Sequence, residues 1–406
     1  TKKPQSKLNK STCVVLHVSH ESFNNCALVQ IDKIDDVRFS LLTTGFQMVK
    51  HKNLKQITVL YSDIKYMNKT TFYHKQVSIQ VITNIGTEYF LTFKTEDIRD
   101  AIFNVINPLI RNTSSGFHKT LENSIQYWID DKLTNFEYLM KLNMTSGRSF
   151  QNPSQYPLFP IVLCEYNNSI KLDESSVFRD FSKPSGALNE KKFEILKKNQ
   201  ESLLKLGSNT KAFLFSSYAS NPQIIFGELA RIEPFTSLFI SLSGGKLEEK
   251  DRFGLLTSIS LLFNNVLNDQ MDFREFSPEF YWISSEFLKK PTDDSEVNLK
   301  LGDVVIPEYS VNQIEFLYLH RKALESKIVR NNLNHWIDLI FGCLQRNPNN
   351  NYDPALYSDI WKNLEEEETK QMIIDKSSTE KQNVKQRSKS VAISLNPAER
   401  KIIDLI

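Results

Sequence analysis

The sequence predicts an α+β chain with more than one domain, in which a β-rich part is followed by a mostly helical part. From Thr12 to Phe93 apolar residues recur with period two, and β-branched and aromatic residues are enriched. Beyond residue 120 the apolar spacing becomes that of amphipathic helices. At 406 residues the chain can hold two or three domains with sizeable cores. The stronger helical windows are 120–142, 190–206, 222–242, 250–268 and 316–342.

The period-two region predicts a series of short strands and one helix. The strands are expected at 12–18, 26–32, 37–42, 45–50, 56–61, 71–82 and 88–93. The clearest hairpin turns at 84–87 and places Val77, Ile79 and Val81 opposite Tyr89, Leu91 and Phe93. Thr95 is a suitable N-cap for the helix that follows. Its apolar face is predicted from Ile98, Ile102, Val105 and Leu109.

Short strands followed by one amphipathic helix resemble a pleckstrin-homology (PH) barrel capped by its C-terminal helix. The best local match is Thr87–Ile106, and the PH-like domain is predicted over residues 1–111. PH domains that bind phosphoinositides concentrate Lys and Arg on their first two strands. Here Lys33 is the only Lys or Arg in residues 12–34. Weak or no phosphoinositide binding is therefore expected.

A more specific resemblance lies in Phe316–Arg346, in the run LHRKALESKIV…LNHWIDLIFG. This run is similar to the signature of the BEACH domain, which is shared by the beige/Chediak–Higashi protein, neurobeachin and their relatives. Further stretches that agree in order are 133–149, 155–160, 230–236 with 243–245, and 277–288. The richness in Asn and Lys resembles a fungal beige homologue.

The resemblance implies a BEACH domain over 120–350 after a linker at 112–119, with a mostly helical shell around an irregular core of extended segments. The Pro-punctuated run 147–172 fits such segments, because it cannot form a long helix. The family has no established catalytic activity or cofactor. The resemblance implies a scaffold that acts in vesicle trafficking and protein sorting. Such a scaffold is expected in the cytoplasm, peripheral on endosomal, lysosomal or vacuolar membranes.

One apolar stripe is predicted in the last helix of the BEACH-like region, with Asn331 and Asn332 as its cap and Gly342 as its stop. Its residues are Leu333, Trp336, Ile337, Ile340 and Phe341. His335 and Asp338 lie off this stripe. One turn apart, Arg321 and Glu325 are predicted to pair.

Charged side chains inside apolar motifs are candidates either for acid–base catalysis or for a structural role, as buried ion pairs or caps. The candidates are Glu233, Glu279, His320, Glu325, His335 and Asp338, with Arg148, Arg231 and Arg321 as expected partners of the carboxylates. No nucleophile or metal motif accompanies them, so structural pairing is favoured. A hydrolase would instead require Glu279 or Asp338 to be open to solvent. Around Cys13, His17, His20 and Cys26, a core Cys with edge His residues is favoured over zinc.

The net charge of +2 hides an asymmetry. Residues 1–111 carry 15 Lys and Arg against 9 Asp and Glu, whereas the central body is about −8. This predicts that a basic PH-like domain docks on an acidic BEACH domain, and an acidic body excludes nucleic acid as a partner. Candidate residues of the domain interface or partner groove are Lys50, Lys52, Lys65, Lys69, Arg148, Glu233, Arg321, Glu325, His335, Trp336 and Asp338.

Two classes of function follow from these patterns. The first is a non-enzymatic module whose groove between the docked domains receives a protein partner, such as a small GTPase or a trafficking factor. The alternative is a peripheral membrane adaptor that binds anionic phospholipid through residues 50–75 and 376–401. Four Cys without a regular framework fit a reducing cytosol.

The C-terminal extension is predicted over 351–406. Tyr352–Lys370 is read as a helix that carries the acidic run Glu365–Glu368, and 376–395 as disordered. The chain begins without Met, so a piece of a longer protein is expected, with WD40 repeats after it by resemblance.

Overall fold

A computed structural model of the chain describes residues 26–72, 75–111, 124–166, 169–205, 221–243, 254–282, 284–291, 301–342 and 344. The chain divides into two compact units, unit 1 (Thr1–Lys119) and unit 2 (Thr120–Ile406). The strand predicted at 12–18, the linker at 112–119 and the extension at 351–406 with its disorder at 376–395 lie outside the described residues.

Unit 1 contains an antiparallel sheet that curls into a half-barrel. Its described strands are β1 (Cys26–Gln30), β2 (Lys33–Leu41), β3 (Gly45–Lys50), β4 (Gln56–Leu60), β5 (Ile64–Phe72), β6 (Lys75–Thr83) and β7 (Glu88–Phe93). They are hydrogen-bonded in the order β4-β3-β2-β1-β7-β6-β5. The concave side buries one core, to which Phe39, Phe46 and Ile79 contribute.

The predicted hairpin is confirmed, because Ile79 lies opposite Leu91 and Val81 opposite Tyr89. The predicted strand 71–82 is wrong at its start, since β5 runs to Phe72 and a separate strand, β6, begins at Lys75. Sequence reasoning missed most of β5. Register shifts occur along its pairing with β6, between 64 and 66 and between 70 and 72. Such irregularities change the phase of the inward-facing residues, so simple alternation fails.

Helix α1 (Glu96–Arg111) follows β7 and packs on the core of the sheet. Thr95 caps it as predicted, since its Oγ1 accepts a hydrogen bond of 3.4 Å from the amide of Ile98. The predicted apolar face is wrong in its second half, because Val105 and Leu109 are 37% and 38% exposed. The buried residues are Ile102, Phe103, Ile106 and Ile110. The true stripe is thus rotated by one residue, about 100° on a helix.

Unit 2 is mostly helical in its described part. Residues 124–129 are helical, and the named helices are α2 (Asn135–Thr145), α3 (Glu190–Lys205), α4 (Pro222–Glu228), α5 (Phe235–Leu242), α6 (Ile259–Asn268), α7 (Gln313–Leu324) and α8 (Lys327–Ile340).

Two of the predicted long helices are broken. The window 120–142 breaks at Asp131, which has φ 58°, and α2 then starts with a capping box between Thr134 and Glu137. The window 222–242 breaks between α4 and α5. In both places local turn and capping chemistry overrides the apolar period, which continues across the break.

The apolar stripe of α8 is confirmed, and Leu333, Trp336 and Ile337 are fully buried. The predicted cap at Asn331 and Asn332 is wrong. The helix begins after Ser326, whose Oγ accepts a hydrogen bond of 3.2 Å from the Val329 amide. Both asparagines therefore lie inside the helix. A Cβ on Gly342 would come within 2.8 Å of the Asp338 Cα, so a glycine is needed where the chain leaves α8.

In its described part, the core of unit 2 contains extended chain that is joined by isolated bridges rather than by a sheet. Residues 156–163 are buried throughout, yet they are joined to their neighbours by isolated bridges, Phe159 with Phe276 and Leu163 with Phe178. Phe159 and Phe276 exchange backbone hydrogen bonds of 2.8 and 2.9 Å. A single bridge satisfies few backbone groups, so side chains must bind others.

Exchanging Ile106 and Leu109 in turn for Ala tests the corrected face of α1. Ile106→Ala removes a buried side chain, which costs about 2 to 5 kcal/mol. Leu109→Ala acts on a partly exposed residue and is expected to cost less than about 1 kcal/mol. Pulse proteolysis in urea, with fragments of unit 1 identified by mass, measures both. Equal losses would contradict the corrected face.

Candidate functional site

Glu325 lies at the turn between α7 and α8 and binds the start of α2. Its Oε1 accepts a hydrogen bond of 3.0 Å from Arg321 Nε, which confirms the predicted pair. Its two oxygens also accept from the backbone amides of Asn135 (2.7 Å) and Phe136 (3.1 Å). A carboxylate at the first amides of a helix is stabilised by the helix dipole. Glu325 therefore positions α2.

Arg321 joins three parts of unit 2. Besides its bond to Glu325, its Nη1 donates to the carbonyl of Tyr281 at 3.1 Å. Its guanidinium also lies 4.0 Å from the ring centroid of Phe136. The side chain thus connects α7 with α2 and with the short 3-10 helix Pro278–Tyr281.

Asn135 and Arg330 add to the contacts of Glu325 and Arg321 at the start of α2, a region that we call the Arg321–Glu325 junction. Sequence reasoning did not identify either residue. Asn135 Oδ1 accepts a hydrogen bond of 2.7 Å from Trp128 Nε1, while its Nδ2 donates to the carbonyl of Leu324 at 2.7 Å. Arg330 Nε lies 2.7 Å from Asp131 Oδ1. The feature that could have indicated these two residues is their position near the start of a helix, because polar side chains there bind backbone groups that have no partner within the helix.

The other predicted residues of unit 2 do not form one cluster of ion pairs. His335 is exposed, whereas Trp336 and Asp338 are buried. Glu233 is exposed and accepts from the Ser237 amide at 3.4 Å and from Ser237 Oγ at 3.0 Å at the start of α5, so of the two expected structural roles it has that of a cap and not that of a buried ion pair.

Two of the expected arginine partners bind backbone oxygens. Arg231 donates to Leu256 O at 2.7 Å and to Gly302 O at 2.9 Å, so backbone carbonyls take the place of the carboxylate expected as its partner. Burial lowers its pKa to about 10. Arg148 donates to Tyr156 O at 3.0 Å. Carbonyl oxygens in an irregular interior need donors, and a guanidinium supplies several.

The four predicted lysines of unit 1 differ in their contacts. Lys50 Nζ lies 2.5 Å from Asp35, and this bond holds the pKa of that carboxyl below its usual value. Lys69 lies 2.8 Å from Asp100. Lys52 and Lys65 are exposed. Only these last two present a full positive charge to solvent.

A fully buried ion pair, Arg179 with Glu275, was also missed. Both side chains are 0% exposed, and Arg179 Nη1 lies 2.9 and 2.7 Å from the two carboxylate oxygens. Glu275 Oε2 also accepts from the amide of Ile161 at 2.9 Å, and Arg179 Nη2 donates to Lys183 O at 2.7 Å. The pair therefore binds backbone groups of the extended core that a neighbouring strand would bind in a sheet. The sequence feature that could have indicated this pair is a charged residue between aromatic residues, as in VFRDF and DFREF.

Glu228, Asp272 and Arg274 form a second buried charged group. Arg274 makes three contacts with Asp272, at 2.8, 2.9 and 3.0 Å. Glu228 lies 3.6 Å from Arg274 and is fully buried. Because Asp272 already neutralises the guanidinium, burial dominates and raises the pKa of Glu228 to about 8.

His320 is enclosed by aromatic rings and is unsuited to acid–base work at neutral pH. Its ring centroid lies 4.1 Å from that of Phe316, 5.6 Å from Tyr166 and 5.9 Å from Phe276. Burial lowers its pKa to about 3, so the imidazole is neutral. Glu279 accepts the Tyr156 hydroxyl at 2.7 Å, and burial raises its pKa.

The described residues show no group of three or more His, Cys, Asp or Glu placed to hold a metal ion. Within the same ranges no helix is both long and apolar enough to cross a bilayer. Asp338 is buried, and the partly buried Glu279 binds Tyr156 through Oε1 and has its Oε2 buried, so neither carboxyl is the solvent-open group that a hydrolase would require.

An aromatic patch is open beside this junction. We call Phe136, Phe150, Trp282 and Arg321 the Trp282 patch. The indole of Trp282 is 46% exposed and lies 6.2 Å from Phe136 and 6.3 Å from Phe150, edge to face. Trp and Arg are enriched among the residues that carry most of the energy at protein interfaces. Sequence reasoning named Arg321 but not the patch.

The family model of the Beige/BEACH domain matches residues 126–392. The chain belongs to the BEACH family. The match includes α2 to α8 and the Arg321–Glu325 junction, so the resemblance seen in the motifs is confirmed.

Curated BEACH relatives match a large part of the chain. The mouse WD repeat- and FYVE domain-containing protein 4 is 32% identical over 328 residues, which cover 74% of this chain and 10% of the relative. The BEACH domain-containing protein lvsE of Dictyostelium discoideum is 34% identical over 316 residues, 75% of this chain and 14% of its own. The Arabidopsis thaliana BEACH domain-containing protein B is 39% identical over 226 residues, 54% and 8%. The BEACH chain thus spans about a tenth of these relatives.

Neutralising Glu275 tests the role of the buried pair in this BEACH domain. Glu275→Gln leaves Arg179 buried without its counter-charge, and a loss of about 3 to 5 kcal/mol is expected. Glu174→Gln makes the same change in the exposed pair with Lys171, where less than about 1 kcal/mol is expected. Urea unfolding followed by Trp fluorescence reports unit 2, since all four Trp lie there. Similar losses in both variants would contradict the assigned role.

Glu228 is expected to make the stability of unit 2 depend on pH. Its pKa is about 8 in the folded state against the ordinary 4.5, so the folded state binds the extra proton. The stability it contributes is complete below pH 4.5 and is lost as pH rises through 8. Glu228→Gln should remove this component. Urea unfolding of both proteins between these limits measures it, and a constant difference would refute the shift.

Proposed function

We propose that this chain is a non-enzymatic protein-interaction module of a large scaffold that acts in vesicle trafficking and protein sorting at endosomal, lysosomal or vacuolar membranes. The observation that carries the proposal is a difference between two sets of side chains in unit 2. Charged residues such as Arg179, Glu275 and Glu325 bind the chain's own backbone and one another. The Trp282 patch is open for recognition.

We also propose a finer architecture. Unit 1 is read as a PH-like barrel with α1 covering one end, supported by its sheet order and by the packing of Ile102 and Ile106 on the core. Unit 2 is read as a BEACH domain whose irregular core is held by buried charges. The predicted bounds, 1–111 and 120–350, stay predictions.

Docking of the two units is proposed from charge. Residues 1–111 are basic, and the body after them is acidic. Lys52 and Lys65 are the two of the four predicted lysines that are exposed without an ion pair among the described residues, since Lys50 pairs with Asp35 and the exposed Lys69 pairs with Asp100 within unit 1. Complementary charge of this kind orients two surfaces more than it strengthens their contact.

The proposed partner is a protein segment from a trafficking factor or a small GTPase. The Trp282 patch offers a large aromatic side chain and a guanidinium held in place by Glu325 and Tyr281. Such pre-ordered side chains lose little entropy on binding. No catalytic step or cofactor is proposed.

A second candidate is a peripheral membrane adaptor. It is favoured by the exposed lysines Lys52 and Lys65. Against phosphoinositide binding, Lys33 lies 3.4 Å from Asp32, which reduces its field. Location in the cytoplasm, peripheral on endosomal or vacuolar membranes, is part of both proposals.

Trp282→Ala tests the proposed partner site. Loss of a partly exposed aromatic anchor should weaken capture of a partner from lysate by roughly 30-fold, which corresponds to about 2 kcal/mol. Met271→Ala is the matched control, because Met271 is 53% exposed outside the patch. Capture by the full chain is quantified by mass spectrometry, with a thermal melt of each variant. Equal capture by the Trp282 variant would refute the site.

Liposome flotation separates the two candidate functions. The scaffold proposal predicts little capture on anionic vesicles and no effect of Lys52→Glu with Lys65→Glu. Strong capture that falls with salt and with this double variant would favour the adaptor instead.

A further inference from the structure

One face of α7 is apolar and open to solvent. Ile314 is 57% exposed and Tyr318 63%, and Val311 just before the helix is 89% exposed. Lys322 continues the same face, four residues after Tyr318, and is also exposed. Residues four apart lie above one another on a helix. The face therefore runs from apolar at its start to basic at its end.

The BEACH family match does not stop at the last described residue. It continues to residue 392, whereas the structure describes the chain up to 344. The domain as the family defines it thus includes residues 352–368. A segment that belongs to a folded domain is expected to bury its apolar residues against the rest of that domain.

The sequence of 352–368 matches the face of α7 in spacing and in charge. Leu356, Ile360 and Leu364 recur every four residues, with Tyr357 and Trp361 beside them. Glu365–Glu368 follow directly. The segment therefore also runs from apolar to charged, and its charge is opposite to that of Lys322.

The connection between the described chain and this segment is short. Seven residues, 345–351, separate the last described part from Tyr352. An extended chain of that length reaches about 24 Å at most.

We propose that residues 352–368 of this same chain dock on the face of α7 formed by Ile314, Tyr318 and Lys322. Leu356, Ile360 and Trp361 cover the apolar part, and Glu365–Glu368 lie towards Lys322. The contact is intramolecular and does not depend on the partner proposed above. It completes the BEACH domain on the side of α7.

Deuterium uptake of the full chain tests the contact. Peptides covering 352–368 should be protected in the wild type. Ile314→Asp with Tyr318→Gln should lower this protection at least about tenfold, because two apolar contacts are lost. Both substitutions suit the helix, since Asp is favourable in its first turn and Gln is a good helix former. Leu261→Asp is the matched control, a leucine 49% exposed on α6.

The charged part has its own pair of variants. Lys322→Glu should lower protection of 352–368 about 2- to 5-fold, as for an exposed ion pair. Lys289→Glu, at another exposed lysine, should leave it unchanged. Absence of protection in the wild type, or full protection in the Ile314/Tyr318 variant, would overturn the proposal. Protection that rises with protein concentration would also overturn it, because a second copy would then cover the face.

Discussion

The Glu275 carboxylate is the group on which the core of unit 2 most depends. It accepts from the amide of Ile161 and from Arg179 in a site with no solvent exposure. Buried extended chain without a sheet leaves backbone groups that need partners, and an unpaired one costs a large part of a domain's stability. Glu275 and Arg179 supply those partners.

The same solution recurs elsewhere in the BEACH domain. Glu325 binds the first amides of α2, and Arg231 binds the carbonyls of Leu256 and Gly302. Each side chain belongs to a motif of the family, and each is engaged with backbone. Charged side chains that lie among aromatic residues in the sequence therefore bind backbone groups that regular secondary structure would otherwise pair. In the proposed function, recognition is then assigned to the Trp282 patch.

How much the sequence could predict depended on whether the evidence was local. The β6–β7 hairpin and the Arg321–Glu325 pair follow from period and helical spacing, and both are confirmed. The face of α1 was wrong by one residue, because flanking apolar residues fit two neighbouring stripes. The start of α8 was wrong, because Asn331 resembles a cap whereas Ser326 is the residue that caps. The Arg179–Glu275 pair joins positions 96 residues apart, a distance that spacing does not address.

Residue-resolved hydrogen exchange of three backbone amides tests the central claim most directly. The amides of Ile161, Asn135 and Phe136 donate to Glu275 or Glu325 and to no backbone carbonyl of a sheet. If carboxylates replace regular structure, these amides should exchange as slowly as those in the middle of α8, through opening of the whole unit. Exchange at the rate of open loops would contradict it, and the motif charges would then need another role.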